Sequence, residues 1–298
     1  MSRKEEEAMA FRHIIYQPGK VARIIFNRPG NLNAQGYLLL EEVDQAFDMA
    51  GADDGCGAVV LSGAGRAFCA GHDLGTEEQM RYCEEHGLAR PQEPDMRRKV
   101  SDMYEFYVKK TLAWRNFPKP TVAMVHGYCI YAGWMLAAAM DVVFAAEDAL
   151  FLPGMVEYFS APWDLGPRKA KEILLEHRFV TAEEALACGF VNRIFPPDRL
   201  EKETLAYASR VADNYCAAPA WTGTIKAAIN HMEDAMGFTS EIEAAYNSFC
   251  LMYSLGAHSA AAPDKGGFAR TDVARRNFEL SKPWLVNQGL CKPDNSGD

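Results

Sequence analysis

The chain has 298 residues, 49% of them hydrophobic and 24% charged, a globular composition that excludes disordered, collagen-like and coiled-coil architectures. It carries 31 basic and 40 acidic side chains, a formal charge of −9, so the global basic footprint of a nucleic-acid binder is missing. At about 150 residues per unit the length suggests roughly two units.

From the N-terminus, residues 1–10 are charged and lack the apolar stretch of a signal peptide. Phe11 to Tyr16 and Val21 to Phe26 read as a strand pair around the turn signal Pro18-Gly19. Leu38, Leu39, Val43 and Phe47 recur at helical spacing and predict a helix over 37–50. Ala58 to Ser62 reads as a short buried strand, followed by a long polar region, 75–117, in which 102–114 looks helical. Thr121 to Met140 holds no acidic or basic residue, but His126, Gly127 and Gly133 interrupt it. A buried strand over 121–125 and a tightly packed helix over 133–140 are expected there, not a membrane span. Val142 to Ala145 is another strand. This rhythm predicts an α/β core of crossover units. After Ala161 the pattern is helical over 167–176, 182–188, 200–217, 222–236 and 240–255. The expected organisation is a core over residues 1–200 and a helical region over 201–298. The tail from Gly256 is expected to order only against a neighbouring subunit.

The eight cysteines stand at 56, 69, 83, 129, 188, 216, 250 and 291, with no CxxC pair and no zinc-like spacing to histidine. They read as free thiols of a reducing, cytoplasmic compartment, and no metal site is expected. His13, His86, His177, His231 and His258 show no metal spacing and receive no role.

Two Gly/Ala-rich loops each follow an apolar strand and lead toward a helix: residues 63–74 (Gly-Ala-Gly-Arg-Ala-Phe-Cys-Ala-Gly-His-Asp-Leu) and 126–133 (His-Gly-Tyr-Cys-Ile-Tyr-Ala-Gly). Small residues let a ligand approach the main chain, and free N–H groups at a helix start hold negative charge. Two N–H groups converging on one thioester oxygen would form an oxyanion hole. Spacing alone leaves open a purely structural use of the glycines.

These segments, with Phe26-Asn27-Arg28-Pro29, Leu32-Asn33-Ala34, Lys119-Pro120 to Asp141, Thr181 to Ala185, Gly189 to Asn192 and Lys226 to Asn230, resemble the crotonase (enoyl-CoA hydratase/isomerase) superfamily. The match runs in order over roughly residues 11 to 230. The resemblance implies a ββα spiral with a C-terminal helical trimerisation region, a homotrimer or hexamer, and an acyl-CoA substrate. Coenzyme A is part of that substrate, and no separate cofactor is implied. It places the oxyanion N–H groups on His72 and Ala132, and substrate contacts on Arg28, Ala34, Ala70, Asp73, Leu74, Tyr131, Met135 and Lys226. Arg28 and Lys226 are expected near the CoA phosphates, and Asp73 is expected to cap the helix after the loop. Tyr131, Trp134, Tyr158 and Trp163 are candidates for an acyl pocket or for core packing.

Two departures bear on the reaction. A hydratase of this family uses two glutamates. Met135 stands where the first is expected, and Gly154 follows Pro153 where the second is expected. Glu157 is the nearest carboxylate and the candidate acid/base, with Asp164 second. His72 replaces the usual small residue and would bring an imidazole beside the thioester. The expected activity is of the enoyl-CoA hydratase or isomerase type, in fatty acid metabolism. The alternatives are a C–C hydrolase of CoA thioesters, a non-catalytic acyl-CoA-binding homologue, and a helical interaction protein with structural loops.

Overall fold

The computed structural model describes residues 11–91, 95–255 and 269–293. Two sheets organise it. The first has six strands in the order β1 (Ile14–Gln17), β2 (Val21–Phe26), β3 (Ala58–Gly63), β5 (Thr121–Val125), β7 (Val142–Ala146) and β10 (Arg193–Phe195). β1 runs antiparallel to β2, and the remaining neighbours are parallel. The second has four strands, β4 (Ala67–Cys69), β6 (Tyr128–Ile130), β8 (Leu150–Leu152) and β9 (Val180–Thr181). Each turn of chain thus gives one strand to each sheet: β3 with β4, β5 with β6, β7 with β8. This is the ββα spiral.

The strand pattern follows burial. On β2, Ala22, Ile24 and Phe26 face inward in alternation, whereas β5 is buried along its whole length. A continuous apolar run is what a parallel strand covered on both faces requires. One face of the first sheet is covered by α1 (Tyr37–Ala52), which buries Leu39, Leu40, Val43, Ala46 and Phe47. The other is covered by α9 (Pro197–Ala217), whose Leu200 and Ala208 pack on Val60, Val122, Met124 and Phe144. The helix α9 crosses residue 200 without a break.

Between β4 and β5 lie α2 (Glu77–His86), α3 (Met96–Met103), a π-helical segment (Tyr104–Lys109) and α4 (Lys110–Arg115). The π-helix buries three consecutive residues, Phe106, Tyr107 and Val108, a pattern that helical periodicity does not flag. α5 (Ala132–Ala138) follows β6, and α6 (Ala161–Leu165), α7 (Pro167–Glu176) and α8 (Ala182–Cys188) complete the spiral. Helices α10 (Pro219–Ala235), α11 (Phe238–Ser254) and α12 (Ala269–Asn287) form the C-terminal region.

The first sheet's long strands and the helices 167–176 and 182–188 agree with the sequence expectation. The second sheet and α2 differ from it. Strands of two or three residues carry no period, and α2 starts with a polar cap in a polar stretch. α12 also differs: it packs on its own chain, where Phe278 and Leu285 meet Ile130, Leu152 and Phe179. Of the tail expected to order on a neighbour, residues 256–268 and 294–298 lie outside the described residues. All eight cysteines are free. The charge-free stretch 121–140 divides into β5, β6 and α5, and no described helix is long and apolar enough to cross a membrane.

Candidate active site

The two glycine loops come together at the ends of β4 and β6. The first is held by Gln35: its N–H donates to Gly71 O, and the Asp73 N–H donates to Gln35 O, both at 2.8 Å. In this parallel bridge His72, the residue between, directs its own N–H away from Gln35. Gly71 has φ +104°, which glycine adopts without a side-chain penalty. In the second loop Tyr131 has φ 48° and ψ −104°, a strained conformation costing about 1–3 kcal/mol. Hydrogen bonds from Tyr131 N to Leu152 O (2.7 Å) and from Met135 N to Tyr131 O (3.3 Å) hold it. Ala132 opens α5, so its N–H has no intrahelical acceptor. Neither the His72 nor the Ala132 N–H meets an acceptor among the described residues.

Close backbone approach locks the loops together. A Cβ on Gly133 would lie 2.4 Å from Cys69 O, and one on Gly71 would lie 3.3 Å from Ile130 O and 4.0 Å from Ala132 N. The Gln35 side chain donates from Nε2 to Ala132 O at 2.7 Å. Gln35 therefore ties one loop with its main chain and the other with its amide. Cys69 Sγ accepts from Gly71 N at 3.4 Å, and burial pushes this thiol up to about 11, leaving it neutral.

Beside these N–H groups stands a titratable pair. The His72 Nε2 lies 2.8 Å from Glu157 Oε2, and the Glu157 side chain is only 3% exposed. Glu157 sits in the loop between β8 and α6. The His72 ring packs on Tyr107 of the π-helix, with centroids 4.1 Å apart, and the Tyr107 ring in turn lies against Tyr37, with centroids 5.7 Å apart. Burial, reinforced by neighbouring charges that include Glu157, pushes both phenols above their ordinary value. Burial does the same for Tyr246 and Cys250 of α11, with Glu157 a smaller contributor. These neighbours are neutral groups around one imidazole and one carboxylate. His72 Nδ1 is buried without a hydrogen-bond partner.

A model of the enoyl-CoA hydratase/isomerase family matches residues 17–250. The chain belongs to this family. It is 37% identical over 263 residues to the "Putative enoyl-CoA hydratase EchA13" of Mycobacterium tuberculosis, covering 82% of this chain and 81% of that protein. Its fold is similar to that of the "probable enoyl-CoA hydratase" from Mycobacterium thermoresistibile (TM-score 0.72, 35% identity, 84% of this chain and 99% of that one). It is also similar to an enoyl-CoA hydratase/isomerase from Xanthobacter autotrophicus Py2 (TM-score 0.71, 30% identity, 94% and 99%). The protein is accordingly an enzyme of the crotonase superfamily.

Within this family frame, the other sequence-derived residues are dispersed. Met135 is 1% exposed in the main core, with no titratable group to offer. Tyr131 leans outward over Gly154 and toward His177, and Leu74 is 64% exposed beyond the loop. Ala70 is partly buried and spends its N–H on Leu32 O at 3.0 Å. Arg28 is buried, pairs with Asp73 at 2.8 Å and donates to Ala34 O at 2.6 Å. Burial raises the Asp73 carboxyl, but hydrogen bonds from Thr76, Gly75 and Arg28 outweigh this and hold it below its ordinary value. Thr76, not Asp73, is the N-cap of α2; Asp73 braces the cap by accepting from Thr76 N and Oγ1.

Lys226 and Asp164 lie elsewhere. Both line a cavity of about 460 Å³ between α5, the start of β5 and helices α9 to α11. Lys226 pairs with Asp141 at 2.9 Å, and burial lowers its ammonium despite that partner. Asp164 Oδ2 accepts from Trp134 Nε1 and Ser160 Oγ, each at 2.7 Å. Burial drives its carboxyl up to about 7 against those two hydrogen bonds. Both cations expected near phosphates thus have a carboxylate partner, and they do not share a site. Trp134 and Tyr158 are core residues, and Trp163 packs on Phe238 at 5.3 Å.

Sequence reasoning missed Gln35, Tyr37 and Tyr107. Gln35 directly follows the Leu32-Asn33-Ala34 motif, and its 1% exposure marks it as a buried polar clamp, which no local pattern reveals. Tyr107 had no helical phase to identify it.

Proposed function

We propose that the enzyme acts on an acyl-CoA thioester through its enolate. The thioester oxygen docks on the His72 and Ala132 N–H groups, and the His72–Glu157 pair moves the proton. Donors preorganised at such an oxygen are worth about 2.7–4 kcal/mol each in the transition state. The observation that carries this reading is the 2.8 Å contact of the buried Glu157 with the His72 ring beside two unpaired N–H groups. Water addition needs a second group to activate water, and Met135 supplies none. One acid/base unit suits α-proton transfer and double-bond isomerisation.

The groups assigned to this chemistry lie before residue 200, and of the helices beyond it α10 is the one suited to assembly. Trp221, Ile225, Ile229 and Met232 of α10 and its C-cap Met236 are 46–71% exposed, a stripe at helical spacing suited to a homotrimer or hexamer. The compartment consistent with eight free thiols is the cytoplasm.

The test is mass spectrometry of saturated and unsaturated acyl-CoA thioesters incubated with the protein in heavy water. Deuterium uptake at the α-carbon without addition of solvent is the expected result. Solvent addition would identify a hydratase and refute the one-unit mechanism. Thioester binding with neither change would refute the enolate reading and favour a non-catalytic binder.

A further inference from the structure

We propose that the proton carrier is the His72 imidazole, acting through Nδ1, and that Glu157 is its positioning residue. This rests on the enolate reading above and deepens it by naming the base. The two ring nitrogens have different surroundings. Nε2 faces the Glu157 carboxylate at 2.8 Å, and an ionised carboxylate accepts only, so Nε2 carries the hydrogen in the neutral ring. That leaves the lone pair on Nδ1, which is buried and has no partner in the protein. A buried polar atom left without a partner costs free energy, and a catalytic role is one account of such an atom.

Covalent geometry places Nδ1 usefully. It is the ring nitrogen bonded to Cγ, so it lies beside the main chain of its own residue, whose N–H also lacks an acceptor. A thioester oxygen on that N–H brings the acyl α-carbon, two bonds away, into the neighbourhood of Nδ1. The α-C–H bond breaks, the proton passes to Nδ1, and the electron pair moves to the thioester oxygen held by the two N–H groups. The imidazolium formed sits against the Glu157 carboxylate, which balances its charge. Nδ1 returns a proton to the α- or γ-carbon, after exchange of its hydrogen with solvent in the turnovers that deuterium uptake records, and the ring becomes neutral again. The Tyr107 ring, 4.1 Å away, fixes the plane of the imidazole. This is the logic of a base oriented by a buried carboxylate. It explains why a side chain at position 72 is compatible with a hole built from backbone: the hole keeps its N–H, and the imidazole replaces the missing carboxylate of position 135.

His72→Ala separates the two contributions, since it preserves the backbone N–H. Deuterium exchange into a thioester that the unaltered protein exchanges is expected to fall by about 10²–10⁴-fold in kcat, with KM changed little. Added imidazole is expected to restore part of the rate. Glu157→Gln is expected to lower exchange less than His72→Ala. In ¹⁵N NMR of the ligand-free protein, His72 is expected to show a protonated Nε2 and a lone pair on Nδ1, and Glu157→Gln is expected to lose that fixed tautomer. Exchange within threefold of the unaltered protein in His72→Ala, with loss in Glu157→Gln, would make Glu157 the base and overturn this assignment while leaving the enolate reading intact. A protonated Nδ1 in the neutral ring of the unaltered protein would overturn it independently of turnover. A thioester that binds but exchanges nothing in the unaltered protein would refute the enolate reading itself.

Discussion

Asp164 shows how a single side chain acquires a function-like signature from its surroundings without lying at the reacting centre. Its carboxyl titrates near 7, against an ordinary 3.8, because burial outweighs the Ser160 and Trp134 hydrogen bonds. A group whose native pKa is raised binds its proton more tightly folded than unfolded. Between about pH 4 and 7 the native state holds that proton and the unfolded state does not, so this group makes stability fall as pH rises through the window. Asp164→Asn keeps an oxygen for both donors and removes the titration. Urea unfolding at a series of pH values should show the variant gaining relative to the unaltered protein from pH 4 to 7; parallel curves would contradict this. The Arg178–Glu184 pair makes the opposite point. Both side chains are 0% exposed, joined by two contacts of 2.6 and 2.8 Å, and Arg178 also reaches Glu176 at 2.7 Å. Removing Glu184 takes away the buried carboxylate and leaves Arg178 only the more exposed carboxylates of Glu172 and Glu176. Glu184→Ala is expected to cost about 3–5 kcal/mol in denaturant unfolding, and a loss under 1 kcal/mol would show that water enters the site.

The junction of β4, β6 and α5 is where elements, not single side chains, set the chemistry. The β4 and α5 backbones meet at Gly133, where a methyl group would fall 2.4 Å from Cys69 O. Gly133→Ala must therefore push apart the two segments that carry the unpaired N–H groups. Overpacking of this kind costs about 1–3 kcal/mol. Thermal unfolding should record that loss, and α-proton exchange should fall more steeply than stability. Unchanged exchange would mean that the two N–H groups do not act together. The π-helix is the other decisive element. It rotates Tyr107 onto the His72 ring while keeping Phe106 and Val108 buried, and its phase comes from packing against α1 and α11, not from its own sequence.

Across the whole molecule, the apolar side chains divide between two destinations. The spiral buries its own in one large cluster and two smaller ones, whereas α10 has no buried residue and displays Trp221, Ile229 and Met232. Exposed apolar area arranged along one helix is suited to a second copy of the chain. Sedimentation should find an oligomer, and the double substitution Trp221→Glu with Met232→Glu should shift it to monomer while retaining the secondary structure. A monomeric unaltered protein would refute the assembly. Helix α11 of the same chain completes the main core near Glu157 through Ile242, Tyr246 and Phe249. The core therefore does not depend on another subunit there.

The sequence alone determined the strands of the first sheet other than β10, the longer helices between residues 37 and 255, and the two glycine loops. These are local quantities: apolar periodicity and runs specify burial, and a glycine marks a close approach wherever it lies. The ordered motifs carried the family, and the substitutions at 72 and 135 were visible as departures from it. The second sheet was not legible, because strands of two or three residues acquire their pairing only from neighbours 20 to 60 residues away. Nor was the union of His72 with Glu157, since 85 residues separate them and no period spans that distance. The same applies to Lys226, whose charge is visible in the sequence but whose partner Asp141 is not. Only the tertiary structure decided which nitrogen of His72 is engaged, because that depends on where a distant loop carries its carboxylate.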